Sequence, residues 1–373
     1  AGLSTLQLAS LNSVQIANMQ TRDLAAITTA QITALTTAQM AKLTSDQVVA
    51  LTTDQITAMK SAQFAALTTA NLASITTAQI TSLTTAQIAG LTTAQVIALS
   101  TDQVASLTTS QLAALTTAQV AKMETDDIAA ITTDQITALK TAQINALTTA
   151  QVVALTTAQA AMLTTDQLNA MSTDQLAKME TDDVAAITTS QLVALKTAKI
   201  SALTTAQMVG LTSDQIASLT TAQLASLTTA QLAKIETGDI AAMTTAQIVS
   251  LSKSQVAALT TAQVVALSTD QVSVLTTAQL ISLTSAQLAK METDDLVALS
   301  TAQIRSLTSA QLSYLTSDQI SSLETVDIAA LTNTQVKALS TSQLSGFTDD
   351  QITALTTSQQ SALSTAQKTV LGL

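Results

Sequence analysis

The chain has 373 residues with no Cys, His, Pro or Trp, 10% charged residues, 1% aromatics and a formal net charge of −11. Those absences exclude disulfides, cysteine nucleophiles, the commonest general base and the commonest metal ligand. The acidic surplus argues against a nucleic-acid partner, and no run of 18 or more apolar residues is present to span a membrane as a helix.

From Leu3 onward a large apolar residue returns every eighth position: Leu3, Leu11, Met19, Ile27, Leu35, Leu43, and so on to Leu371. The arithmetic 3 + 46 × 8 = 371 leaves no room for an insertion, so about 46 octads follow one another over residues 1–373 as a single continuous array. With that residue as position 0, the consensus is Leu-Thr-Thr-Ala-Gln-Ile-x-Ala, and position 5 is the second apolar site (Ile32, Met40, Val48, Ile56, Phe64). The stretch 1–26 is atypical, with Leu6 and Val14 at position 3. The stretch 355–373 carries Gln360 and Lys368 at position 5 and reads as a polar end. No basic or apolar leader is read at Ala1-Gly2-Leu3.

A period of eight fits neither a long helix nor a strand stack. Eight residues advance a helix about 800°, so no apolar stripe forms. In a strand, positions 0 and 5 would face opposite sides. The local chemistry selects short helices instead. Thr36-Thr37-Ala38-Gln39 is a capping box, and Leu35 and Met40 around it form a hydrophobic staple. Asp at position 3 (Asp46, Asp54, Asp102) suits a helix's first turn. Each octad is thus expected to form one stubby capped helix. Burying two large side chains does not offset the ordering of eight residues, so octads must stack into an all-α solenoid.

A second period is superimposed. Lys122-Met123-Glu124-Thr125-Asp126-Asp127 returns at Lys178–Asp183, as Lys234-Ile235-Glu236-Thr237-Gly238-Asp239 and at Lys290–Asp295, 56 residues or seven octads apart. Wherever position 1 is Glu (Glu124, Glu180, Glu236, Glu292, Glu324), position 4 is Asp instead of Gln. Block duplication accounts for this. So does a whole number of superhelical turns per seven octads, for which one turn is the simplest geometry. Glu124, Asp126, Asp127, Glu180, Asp182, Asp183, Glu292, Asp294 and Asp295 are the candidate calcium ligands, since calcium takes carboxylate oxygens. The plainer expectation is a solvated salt-bridge ladder with the neighbouring lysines. No catalytic residue and no cofactor is expected. Met162 and Tyr314, both at position 7, stand outside the core pattern.

The octad Leu83-Thr84-Thr85-Ala86-Gln87-Ile88-Ala89-Gly90 resembles the octapeptide arrays of large secreted or surface proteins of Gram-negative bacteria, loosely labelled haem-utilisation or adhesion proteins. The resemblance implies an extracellular or cell-surface location. Haem chemistry does not follow from it, because no His, Cys or Tyr cluster is available to hold the iron. The expected role is structural, namely self-assembly into a filament, sheath or surface fibre. The alternatives are a spacer or stalk within a large adhesin, or a surface that binds calcium, glycan or ice.

Overall fold

The computed structural model describes residues 2–373. Among them 46 short helices and no strand are found, from Thr5–Ser10 to Thr365–Leu371, one helix to each octad. The helices are four to seven residues long. The all-α solenoid read from the repeat is therefore the fold. The chain forms two compact units, Ala1–Ile187 and Thr188–Leu373, each built from the same stacked octads.

The octad after Leu147 shows how the sequence starts and stops a helix. Thr148 is the N-cap, with φ −72° and ψ 160°. Gln151 N donates to Thr148 Oγ1 at 3.2 Å, and Thr148 N donates to Gln151 Oε1 at 2.8 Å. Two helix-start donors are thereby satisfied. Helix Thr149–Val153 ends at Ala154, and the next position 0 residue, Leu155, donates its N–H back to Val152 O at 3.2 Å. In the six-residue helices position 0 is itself the cap and leaves in an extended conformation, as at Leu147 (φ −57°, ψ 137°). Among the described residues only Gly372 has a positive φ, so the octad turns its corner without glycine. Thr148→Ala should cost about 1 kcal/mol, measured by urea unfolding of the full chain.

The apolar positions do what their spacing predicts. Position 5 is sealed, with Ile136 and Leu168 at 0% exposure, while position 0 is almost sealed, with Leu139 and Leu147 at 4%. Positions 1 to 3 face solvent, and so does most of position 6. Helices pack on the third helix along the chain, as Thr141–Ala146 does on Thr165–Ala170, or Lys253–Ala258 on Thr277–Ser282.

The superhelical turn is set by the glutamines. Gln151 Nε2 donates to Met123 O, 28 residues back, at 2.7 Å, and to Val120 O, 31 back, at 2.9 Å. The same bonds recur in the second unit, where Gln255 reaches Leu227 O at 2.9 Å and Leu224 O at 3.0 Å. These amide bonds reach back 28 and 31 residues, whereas helices pack on the third helix along, 24 residues on, and Thr57 Oγ1 donates to Ser82 O, 25 residues on, so one turn takes between three and four octads. This corrects the expectation of one turn per seven octads. The seven-octad recurrence of the acidic octads stands in the sequence and spans more than a single turn.

Leu6 and Val14 are 83% and 66% exposed. Ala1, in the same stretch, lies outside the described residues. Gln360 and Lys368 are half-buried where the other octads seal an apolar side chain. Met162 and Tyr314 are exposed, at 48% and 49%.

Candidate functional site

Two sets of side chains carry polar chemistry inside the stack. The first is position 4. Capping alone would leave Gln half in water, yet Gln151, Gln223 and Gln255 are 1–3% exposed. Each uses both ends of its amide. The oxygen accepts the N-cap N–H of its own helix, and the NH2 donates to carbonyls that end a helix on the previous turn. A helix leaves its last carbonyls without intrahelical donors, and here a side chain one turn on supplies them. The sequence reading missed this second duty. The signal was available: position 4 is never Glu, although Glu would complete a capping box equally well.

The second set is the acidic octads. Glu124 is exposed and makes no side-chain cap bond. Asp126 is exposed, and Asp127 is turned inward at 2% exposure. Asp183 and Asp295 are buried alike, while Glu180, Asp182, Glu292 and Asp294 are exposed. The three carboxylates of each candidate calcium cluster therefore do not converge on a common point. Among the described residues no group of three or more acidic side chains is placed to hold a metal ion. The salt-bridge ladder is not formed either. Lys122, Lys178, Lys234 and Lys290 meet no carboxylate within 4.0 Å, whereas Arg22 and Asp23, far from these octads, pair at 3.7 Å.

The inward aspartates are unusual. A hydroxyl 26 residues back faces each one: Thr101 for Asp127, Thr157 for Asp183, Thr269 for Asp295 and Thr301 for Asp327. At Asp239 the equivalent Ser213 Oγ donates to Oδ1 at 2.5 Å. In the first four, the other carboxylate oxygen is buried without a hydrogen-bond partner: Oδ2 of Asp127, Asp183 and Asp295, and Oδ1 of Asp327. Burial pushes all four carboxyls above the ordinary aspartate value, and the charge of the N-cap Glu adds to it. The threonine hydroxyl and the backbone N–H of that Glu act in the opposite sense.

Outside these sets there is little to carry chemistry. A recess lined by Leu3, Leu8, Leu11, Met19, Ile27 and Gln31 holds one carboxylate, Asp23, and no nucleophile or base to pair with it. The position 1 threonines are capping acceptors, whereas the position 2 threonines, such as Thr37 and Thr85, are free of that duty and exposed. No helix among the described residues is long and apolar enough to cross a membrane.

Comparison with curated proteins returns no match. The family model for the ALTTAQ repeat matches residues 16–53, 56–93, 73–109, 93–123, 120–157, 176–213, 184–221, 232–269, 257–285, 288–325 and 320–357. These overlapping segments cover most of the chain, in the octad register that the structure resolves into one helix per repeat. The chain belongs to the ALTTAQ repeat family.

Proposed function

We propose that this chain is a non-catalytic structural protein that associates with copies of itself into an extracellular filament, sheath or surface fibre. The observation that carries the reading is the regular return of outward-facing residues along the stack. Exposed residues one seven-octad block apart repeat in kind and in exposure. In the first unit the pairs are Ile97 and Val153, 42% and 43% exposed, and Glu124 and Glu180. In the second they are Val209 and Val265, 42% and 38% exposed, and Glu236 and Glu292. A neighbouring copy displaced by one block meets the same kinds of side chain again, and repeated contacts that do not close on themselves propagate into fibres. Placement outside the cell rests on the resemblance to secreted octapeptide arrays.

Light scattering and electron microscopy test the proposal. The full chain should form assemblies of uniform width, and Ile97→Asp with Val153→Asp should reduce them to single chains without unfolding them. A parent chain that stays monomeric at high concentration overturns the filament. The spacer reading would then take its place, favoured by the identical bonding of octad after octad within each unit.

A further inference from the structure

The acidic octads break the bonding rule of the stack at the point where a proton would restore it. In a glutamine octad, the carbonyl 28 residues back receives an N–H. An ionised Asp can only accept hydrogen bonds. It leaves that carbonyl without its donor and sets a buried anionic oxygen in the place of an amide. One octad shows what a side chain of aspartate's length does there. Asn71, 2% exposed, accepts Thr68 N at 2.9 Å through Oδ1 and donates from Nδ2 to Leu43 O, 28 residues back, at 3.1 Å. The shorter side chain therefore still reaches across the turn. The unpartnered oxygens of Asp127, Asp183, Asp295 and Asp327 are the counterparts of that Nδ2, because in each case the other oxygen is engaged by threonine and by the N-cap N–H.

We propose that these four aspartates are carboxylic acids in the folded chain, the protonated oxygen donating to Leu99 O, Leu155 O, Leu267 O and Leu299 O respectively. Each of these four octads is then a pH-dependent clasp between successive turns. The charged groups on the helices packed against them are Asp102 for Asp127, none within its unit for Asp183, Asp270 and Asp318 for Asp295, and Arg305, Asp349 and Asp350 for Asp327. On their own helices and caps they meet Glu124 and Asp126, Glu180 and Asp182, Glu292 and Asp294, and Glu324. Apart from Arg305, every one of these groups is an anion, which favours the neutral form. In these four octads the pairing of Glu at position 1 with Asp at position 4 gains a physical reason: the glutamate helps to hold the proton that the aspartate needs.

The direction of the pH effect follows. The folded carboxyls release their protons at higher pH than the unfolded ones, which titrate at about 3.9. Their stabilisation is complete below that value and is lost as pH rises through the folded pKa. The melting temperature of the parent chain should fall as pH rises through the folded pKa, and infrared spectra of the folded chain should keep a protonated-carboxyl band at pH values above the range in which unfolded aspartates titrate. The fourfold variant D127N/D183N/D295N/D327N puts at each site the side chain that Asn71 already places there. It should fold, lack that band and lose the extra pH slope. Absence of the band in the folded parent, or an equal slope in parent and variant, overturns the proposal.

Discussion

Gln255→Glu should destabilise the second unit by roughly 3–5 kcal/mol at neutral pH, the range typical of a buried charge left uncompensated. The substitution changes one atom's chemistry and almost nothing of shape. Glutamate retains the oxygen that accepts Ser252 N, at 2.8 Å in the parent chain. It loses the NH2 that donates to Leu227 O and Leu224 O at 2.9 and 3.0 Å, and it places a carboxylate at 3% exposure among carbonyl oxygens. Gln255→Ala removes the same donors without adding a charge and should cost less. Lowering the pH should return much of the lost stability to the glutamate variant and none to the alanine variant, since only the former gains a donor by protonation. Denaturant unfolding followed by circular dichroism at two pH values makes the comparison. If Gln255→Glu proved as stable as the parent at neutral pH, the bonds between turns would not be holding the stack.

Ile136→Ala should cost about 2–5 kcal/mol, because Ile136 has 0% exposure and the cavity left behind lies between turns that cannot collapse independently. Val153→Ala, at 43% exposure, should stay within about 0.5 kcal/mol. Both changes remove aliphatic carbons from the same unit, so their difference isolates burial. Hydrogen exchange adds a second readout. In a stack whose units contact only nearby units, a weakened octad loosens its neighbours within a turn or so and leaves distant ones protected. Equal losses from the two substitutions would mean that position 5 is not the core of the solenoid.

The local parts of this fold were legible from residue types. Thr36 and Gln39 announce a cap, Leu35 and Met40 a staple, and the eightfold return of both fixes one helix per octad. The turn was not legible, because it depends on which earlier carbonyls an amide such as Gln151 selects, and nothing in an octad names its partner 28 residues away. The seven-octad recurrence of Glu124, Glu180, Glu236 and Glu292 was visible and its geometry was not: a spacing in sequence does not say how many turns it spans. The acidic clusters misled for a related reason. Asp126 and Asp127 are adjacent in the chain, yet a helix start sends one to solvent and the other inward. The ligand set that their sequence suggests is therefore taken apart by the backbone.

The fixed reach of the glutamines also constrains how such a chain can lengthen. Within a unit, adding a single octad preserves the bonding rule of the stack, because each glutamine counts back the same 28 residues whatever lies beyond. The outward residues beyond the insertion, however, move on by one octad, which is only a fraction of a turn. Growth by one octad is therefore silent to the interior and disorienting to the exterior. A lineage selected on its surface would keep count of its octads, and one selected on folding alone would not.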